Sequence, residues 1–350
     1  MKLTLMPMAL AVTATLSAGS VHAQLLNRLK ERLGPAAGAV ETVVENRAAF
    51  QGFSEEEEIE IARNNAAQFD AQSSFIDDAH LDAYLNGIVQ RLATHAVSRP
   101  FEYRVKVVSG ASINAFTFGG GFLYVNAGLL ARMENEAQVA MVLGHEIAHA
   151  AESHVVEGMK ADAGINLLGQ LAGQAAASSG RINGEVLAKT YEYSMNAAVN
   201  GHGRGQESQA DELGIEYMAK AGYDAREASG TFAALLEEYG DESKLDAFFY
   251  SNHPRNEERM AVADAWAEKN AARFVSAAPI VNTQEFQRTT HEIVVAMGKL
   301  DYDNGRFDSA RAMFTKAAAD GVDDPEPGRY LGMLDEPARK GAIPAGETPC

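Results

Sequence analysis

Val142-Leu143-Gly144-His145-Glu146-Ile147-Ala148-His149-Ala150-Ala151 is the stretch around which this chain is organised. It lies in a run of good helix formers without proline, so the pattern predicts a largely apolar helix. Residues four apart share a helix face, and His145 and His149 can therefore offer both imidazoles to one metal ion. Glu146 is offset by one residue, which places it better for reaching a metal-bound water than for acting as a principal ligand.

The alternative interpretation is that these three residues are structural, because a five-residue pattern of this kind also occurs by chance. The apolar helix argues against it, since burying two unpaired imidazoles and a carboxylate is costly unless a metal satisfies them. A tetrahedral zinc ion with two protein ligands lacks one further residue and a water. The pattern therefore predicts a Zn²⁺ hydrolase, with one zinc per chain, and requires a third ligand elsewhere.

Composition limits the remaining possibilities. The chain has 350 residues, 46% of them hydrophobic, which is enough for one large domain with an appendage or for two domains. The net charge of −18 and the lack of lysine- or arginine-rich runs make a nucleic-acid partner unexpected. Cys350 is the single cysteine, which excludes an internal disulfide and a cysteine-ligated metal cluster.

The first 23 residues are typical of a secretory signal peptide, with Lys2 before an apolar segment and a small-residue cleavage site at Val21-His22-Ala23. The apolar segment is too short and too interrupted to span a membrane, and no later segment is predicted to span one. No cysteine follows the cleavage site, so we expect no lipid anchor. The mature chain is expected to begin at Gln24 and to lie in the periplasm or outside the cell.

Before the central helix, the pattern predicts a helix capped by Ser54, a second helix from Asp78 to about His95, and a strand over 101–107. Residues 112–125 contain three successive glycines and predict a β-hairpin. Its strand next to the central helix could accept an extended peptide by backbone pairing. The hairpin could equally be a sheet edge that only covers the core.

After the central helix, residues 158–184 are rich in alanine and glycine and predict either a lid or membrane-touching hairpin, or a plain pair of small-residue helices. Residues 201–205 predict a loop, and a helix is expected from Gln206. Glu207 and Asp211 are four apart on this helix and share a face. One carboxylate can complete the zinc site while the other holds a ligand histidine by its second ring nitrogen.

With these motifs assembled, the chain resembles the HtpX-like and BepA-like zinc metallopeptidases, in the gluzincin family that includes the prenyl-protein endoprotease and Oma-type proteases. The resemblance spans about 53–263 and is carried by motifs that occur in the same order: His145-Glu146-x-x-His149, Glu207-x-x-x-Asp211-x-x-Gly214 and His253-Pro254-x-x-x-x-Arg259. Ile113-Asn114-Ala115-Phe116 and Val125-Asn126-x-Gly128 precede them. The implied fold is α+β and mainly helical, with a small sheet.

The resemblance implies that Glu207 is the third zinc ligand and that His253 and Arg259 lie at the active site. It also implies that Asn114, Ala115 and Phe116 belong to a substrate-binding edge. The family's usual serine before the arginine is Gly203 here, with Arg204 retained, which affects only the shape of the local loop.

The other histidines carry less signal. His154 is not a metzincin ligand, because that pattern needs Gly at 152 and His at 155, where this chain has Glu152 and Val155. A structural role is expected for it. The remaining histidines of the mature chain have no motif around them and are expected to be surface or packing residues: His80, His95, His202 and His291.

The predicted organisation is a signal peptide at 1–23, a helical lead-in at 24–50, a zinc metallopeptidase domain at 51–275 and a tail at 285–350 that resembles tetratricopeptide (TPR) repeats. Such repeats are stable when about three or more stack, so this short tail is expected to dock on the protease or on a protein partner.

The predicted function is a periplasmic zinc endopeptidase that degrades misfolded or stalled envelope proteins, in which Glu146 transfers the proton of the attacking water and His253 and Arg259 stabilise the oxyanion. The alternative is a latent protease that acts mainly as a chaperone-like client-binding module. In that case His253 would occupy the open position of the zinc, and His253→Ala would raise activity instead of lowering it.

Overall fold

The computed structural model describes residues 54–162, 184–239, 256–270, 274 and 278–336. In this part of the chain, helices surround a small β-sheet, so the fold is α+β and mainly helical, as the sequence predicts. The predicted signal peptide and helical lead-in lie outside the described residues, and so does Cys350.

Two helices precede the sheet: α1 spans Glu55–Asp70 and α2 spans Ala79–Ala93. The Ser54 hydroxyl accepts the backbone N–H of Glu57 at 3.2 Å, and the Glu57 carboxylate accepts the backbone N–H of Ser54 at 2.9 Å. This reciprocal pair satisfies two donors that a helix start otherwise leaves open. Asp78 caps α2 with its carboxylate. Both helix starts follow the sequence prediction.

The sheet has three strands, β1 at Arg104–Val108, β2 at Ala115–Thr117 and β3 at Phe122–Asn126. β3 lies in the middle, with β1 parallel to it and β2 antiparallel. The predicted hairpin is therefore present, and β2 is an edge strand. The strand predicted over 101–107 begins later, at the first residue of β1, because its pairing with β3 starts only there.

The hairpin turn depends on its glycines. Gly119, Gly120 and Gly121 have φ values of 81°, 59° and 89°, a region that side chains disfavour. A Cβ atom on Gly121 would also lie 2.5 Å from the carbonyl oxygen of Glu102. The turn therefore requires glycine for both its dihedral angles and its close approach to the chain before β1.

Seven helices follow the sheet in the described part of the peptidase region: α3 Ala127–Arg132, α4 Glu136–Ala151, α5 His154–Asp162, α6 Gly184–Asn200, α7 Arg204–Lys220, α8 Glu227–Tyr239 and α9 Asn256–Asn270. α4 is the predicted metal-binding helix and contacts α2, β2, β3, α7 and α8. Almost all of its residues are buried, as expected for a helix that is apolar on every side.

One sequence prediction needs correction here, and another falls mostly outside the described residues. The helix predicted from Gln206 begins at Arg204, because Gly203 serves as its N-cap, so the predicted loop over 201–205 is shorter. Of the segment 158–184, the structure describes only the beginning, within α5, and the first residue of α6. The lid, hairpin and helix-pair interpretations lie otherwise outside the described residues.

Four helices form the described part of the tail: α10 Thr283–Thr289, α11 His291–Asp303, α12 Phe307–Ala319 and α13 Glu326–Asp335. They dock on the peptidase region. The Lys316 ammonium donates to the carbonyl oxygen of Ala131 at 3.1 Å, and the Asn282 amide donates to the Glu136 carboxylate at 2.8 Å. The tail was expected to dock on the protease or on a protein partner, and in the structure it docks on the peptidase region.

The tail also shares the hydrophobic core of the peptidase region. Phe286 and Phe314 are fully buried and belong to the same cluster as Leu143 and Ile147 of α4. The core therefore runs from the metal-binding helix into the tail. Within the described segments, none of the helices has both the length and the apolar character that crossing a bilayer requires.

Candidate metal centre

The helix α4 brings the first two candidate ligands together. Asn135 caps its start by accepting the backbone N–H of Gln138 at 3.0 Å. His145 and His149, one turn apart, are 4% and 1% exposed, and their Nε2 atoms lie 2.9 Å apart. Two imidazole nitrogens at this distance, turned toward each other in a buried place, are suited to sharing one metal ion.

The third candidate ligand comes from α7, which crosses α4. Glu207 is completely buried, and its two carboxylate oxygens lie 3.4 Å from His145 Nε2 and 3.6 Å from His149 Nε2. One ligand atom from each of the three residues falls within 4.8 Å of the others. A buried His₂-carboxylate set of this kind fits zinc by its donor chemistry. The structure thus brings together the set that the sequence resemblance implied.

Two glycines allow the helices α4 and α7 to approach this closely. A Cβ atom on Gly214 would lie 2.9 Å from the backbone nitrogen of His145, and one on Gly144 would lie 3.0 Å from the carbonyl oxygen of Gly214. The contact is therefore backbone against backbone, without side chains between the helices. This close approach places the carboxylates of α7 against the histidines of α4.

Asp211 contacts Nδ1 of His145, the ring nitrogen that does not face the other candidate ligands. Its Oδ1 lies 2.9 Å from His145 Nδ1, and Arg259 donates to both of its oxygens, at 2.5 and 2.7 Å. Burial acts to raise the pKa of Asp211, but the charge of Arg259 and hydrogen bonds from His145 and Arg259 lower it to about 2. Asp211 is therefore ionised and contacts His145 Nδ1, and its role in orienting this imidazole remains a prediction.

Arg259 lies at the site, but its contacts favour a different role from the predicted one. Its guanidinium is 8% exposed, pairs with Asp211 and stacks over the ring of Phe232 at 4.3 Å. These contacts hold a carboxylate in place, whereas stabilising an oxyanion remains a prediction. His253, the other predicted oxyanion donor, lies outside the described residues, and both interpretations of it remain predictions.

The two candidate ligand histidines have opposite electrostatic surroundings. Burial acts to lower the pKa of His145, but its hydrogen bonds with Asp211 and Glu207 raise it to about 10. Burial and the neighbouring His202 lower the pKa of His149 well below its usual value. A metal ion that binds here must therefore displace a proton from the first histidine, which couples metal affinity to pH.

Glu146 has the environment of a general base. Its side chain is buried, and this burial is the main reason why its pKa rises to about 7, with Glu207 adding to the effect and His145 opposing it. A carboxylate with a pKa near neutrality both accepts and returns a proton readily.

The structure places at the site two histidines for which the sequence predicts no part in it: His154, expected to be structural, and His202, expected to be a surface or packing residue. The ring of His202 stacks on His149, with centroids 4.1 Å apart and planes inclined by 22°, and its backbone N–H donates to Glu207 at 3.1 Å. His154 Nδ1 lies 2.8 Å from His149 Nδ1. One signal for His202 was available, since it is flanked by glycines and directly precedes the helix of Glu207.

The predicted substrate edge lies on β2, which packs against α4. The side chains of Ala115 and Phe116 are 7% and 8% exposed, and the Asn114 amide donates to the carbonyl oxygen of Ala198 at 3.0 Å. These side chains therefore pack or form hydrogen bonds within the protein. β2 is an edge strand whose residues are all buried, and substrate binding by its backbone remains a prediction.

Comparison with known proteins identifies the family of this chain. The model of peptidase family M48 matches residues 79–267. The beta-barrel assembly-enhancing protease of Escherichia coli (strain K12) is 26% identical over 211 residues, which cover 59% of this chain and 43% of that protein. The mitochondrial metalloendopeptidase OMA1 of Arabidopsis thaliana is 31% identical over 177 residues, 47% of this chain and 32% of OMA1.

A third relative, the metalloprotease LoiP of Escherichia coli (strain K12), is 26% identical over 215 residues, 60% of this chain and 81% of LoiP. The beta-barrel assembly-enhancing proteases are longer, and this chain spans between 39% and 54% of their lengths. The family model covers more than half of the chain and includes the candidate ligands as well as Glu146, Asp211 and Arg259. The chain therefore belongs to peptidase family M48, a family of zinc metallopeptidases.

Proposed function

We propose that this protein is a zinc-dependent endopeptidase of the bacterial periplasm that cleaves misfolded or stalled envelope proteins. The observation that carries the proposal is the buried meeting of His145, His149 and Glu207, with Glu146 in the same helical turn. Membership of the M48 family and the names of the relatives, which are a metalloprotease, a metalloendopeptidase and an assembly-enhancing protease, agree with peptide-bond hydrolysis.

The three candidate ligands fit zinc, and they leave one tetrahedral position for water or substrate. A zinc ion held by them would polarise the scissile carbonyl and lower the pKa of a water to about 7. Asp211, fixed by Arg259, keeps the His145 ring in the orientation and tautomer that its role as a ligand needs.

Glu146 carries the proton transfer in this proposal. Its carboxylate removes a proton from the attacking water and delivers it to the amine that leaves when the peptide bond breaks. A pKa of about 7 suits both halves of this cycle at neutral pH. Because the side chain is buried beside the candidate ligands, bulk water competes little for the proton.

The substrate is proposed to bind as an extended strand along β2, since this is the edge strand next to the metal-binding helix. Backbone pairing of this kind is tolerant of sequence and suits unfolded chains. The predicted signal peptide at 1–23 supports a periplasmic location, and the word beta-barrel in the names of several relatives supports envelope proteins as substrates. The short helical tail is a candidate site for a protein partner.

The experiment that tests the proposal compares the wild type with Glu146→Gln in digestion of a fluorescently labelled, unfolded protein. We expect Glu146→Gln to retain bound zinc and the fold but to lose hydrolysis by about two to four orders of magnitude, the usual contribution of a general base. Zinc removal by a chelator should abolish wild-type hydrolysis, and added zinc should restore it.

Glu212→Gln is a suitable control, because Glu212 is exposed on α7. It should leave the rate unchanged. Equal hydrolysis by the wild type and Glu146→Gln would contradict the catalytic assignment. Wild-type protein that binds zinc and unfolded chains but does not cleave them would favour the latent, client-binding alternative, and His253→Ala would then be expected to raise the rate.

A further inference from the structure

The two candidate ligand histidines differ in what their Nδ1 atoms contact: Nδ1 of His145 faces a carboxylate, and Nδ1 of His149 faces another histidine. His145 directs Nδ1 at Asp211, whereas His149 directs Nδ1 at His154 Nδ1, 2.8 Å away. His154 is only 3% exposed. Two ring nitrogens at this distance form a hydrogen bond only if one of them carries the proton and the other accepts it.

The candidate metal site fixes the direction of this bond. His149 Nε2 faces Glu207 and the other ligand histidine, so as a ligand atom it carries no proton, and the proton of a neutral His149 is on Nδ1. His149 therefore donates to His154 Nδ1. His154 in turn has its proton on Nε2, which lies 3.4 Å from the side-chain oxygen of Gln209. The Gln209 amide group donates to Glu152 at 2.9 Å, so the chain of donors runs in one direction to the surface.

The turn between α4 and α5 sets the position of His154. Ser153 has a φ of 57°, which is unusual for a residue other than glycine. Its hydroxyl donates to Glu58 at 2.9 Å and accepts from Arg99 at 2.9 Å, and Arg99 pairs with Glu58 at 2.5 Å. Glu58 is 5% exposed, so this clamp is largely shielded from water. These contacts of Ser153 stabilise its disfavoured backbone conformation. The resulting turn reverses the chain direction and brings His154 into contact with His149.

A second set of contacts ties His154 to the helix that carries the third ligand. The Gln206 amide donates to the carbonyl oxygen of His154 at 3.3 Å, and Gln209 contacts its ring. Both glutamines lie on α7 beside Glu207. His154 is thus held from two sides, by the turn after α4 and by α7, and it links both ligand helices.

We propose that His154 is a positioning residue for the metal centre, which accepts the Nδ1–H of His149 and so fixes the tautomer and orientation of this ligand. The inference rests on the proposed zinc site. It assigns each ligand histidine its own partner: a carboxylate paired with Arg259 for His145, and a neutral imidazole backed by Gln209 for His149. Loss of such a partner commonly weakens metal affinity by about 10- to 100-fold.

The test measures zinc affinity by competition with a chromophoric chelator for the wild type, His154→Asn and His154→Leu. Asparagine and leucine have nearly the same shape, but only asparagine keeps an acceptor near the position of Nδ1. We expect the zinc affinity of His154→Leu to be about 10- to 100-fold below that of the wild type. The zinc affinity of His154→Asn should lie much closer to the wild-type value. In cobalt-substituted protein, the visible absorption of His154→Leu should shift, and that of His154→Asn should remain close to the wild-type spectrum.

Two further variants keep the test decisive. Gln209 is exposed, so Gln209→Ala should fold normally and lose about two- to fivefold in zinc affinity, less than a direct partner. His291→Leu removes a buried, hydrogen-bonded histidine in the tail and should leave zinc affinity unchanged. Wild-type protein that binds no zinc would overturn the proposed function itself. Equal affinities for His154→Asn and His154→Leu, or an equal loss in His291→Leu, would overturn this inference alone.

Discussion

Single residues in the metal centre are arranged so that buried polar atoms have partners. His145 contacts Asp211 on one side and Glu207 on the other, and Asp211 also receives Arg259. Unpartnered buried polar groups would cost several kcal/mol each, on the order of 2–7. Such a cluster is stable as a unit and is sensitive to the loss of any one member, because the remaining groups stay buried.

Glu207 is the member that the ligand assignment most depends on. Glu207→Ala removes the carboxylate and should reduce the zinc content of purified protein from about one per chain to well below that. Glu212→Ala, an exposed change on the same helix, should retain zinc. Metal analysis after dialysis measures both. Full zinc in Glu207→Ala would remove this residue from the ligand set.

Between elements, the decisive contact is the crossing of α4 and α7 at Gly144 and Gly214. The Cβ of an alanine at 214 would lie 2.9 Å from the backbone nitrogen of His145 and 3.2 Å from the carbonyl carbon of Gly144. Backbone atoms in a buried helix cannot turn aside as a flexible side chain can, so the helices must separate. The carboxylates of α7 would then move away from the histidines of α4.

Gly214→Ala should therefore destabilise the fold by about 1–3 kcal/mol, the usual cost of overpacking, and weaken zinc binding as well. Gly205→Ala provides a matched control on the same helix, because a Cβ at position 205 meets no atom within 4 Å. It should be neutral or slightly stabilising, by up to about 1 kcal/mol. Urea unfolding and zinc competition measure both effects. Equal behaviour of the two variants would contradict the close-packing argument.

Elements with a strong local signal could be predicted from the sequence. Ser54 with Glu57 predicts a helix start, and the glycines at 119–121 predict the hairpin turn, because each depends on residues close together in the chain. The strand at 104–108 was placed too early, since its start depends on pairing with β3. Local patterns cannot reveal such long-range pairing.

In the metal centre, too, features set by residue spacing could be predicted from the sequence, whereas features set by contacts between distant residues could not. The spacing of His145 and His149 indicates one ligand face, and the spacing of Glu207 and Asp211 indicates another. Spacing left open which carboxylate completes the metal site, and the family resemblance was needed to choose one. The sequence predicts a structural role for His154 because it does not fit the metzincin pattern. Its contact with His149 could not be predicted, since that contact depends on the positive φ of Ser153.

In the whole molecule, the tail is part of the folded peptidase region. Its helices share the core of α4, and His291 at the start of α11 joins two later segments of the tail. The imidazole lies 2.6 Å from Asp320 and 3.1 Å from Asp324, and it is 6% exposed. Of the two roles expected for this histidine, surface or packing, the structure shows a buried one with two carboxylate partners.

This ion pair predicts how stability depends on pH. Burial acts to lower the pKa of His291, but hydrogen bonds to Asp320 and Asp324 outweigh it, so the folded-state pKa is raised. The unfolded value is about 6.5, so the stabilisation is complete below about pH 6.5 and is lost as pH rises through the folded pKa. His291→Gln should therefore lose more unfolding free energy at about pH 6 than at about pH 9.

The measurement is urea unfolding of the wild type and His291→Gln at several pH values, with chelator present so that pH-dependent metal binding does not contribute. The difference in unfolding free energy between the two proteins should shrink as pH rises, because other titrating groups are common to both and cancel. His80→Gln, at an exposed position, should show no such trend. A difference that is constant or grows with pH would mean that protonated His291 does not stabilise the tail. A decreasing difference measured through global unfolding would show, in addition, that the tail and the metal-binding core unfold together, as their shared hydrophobic cluster requires.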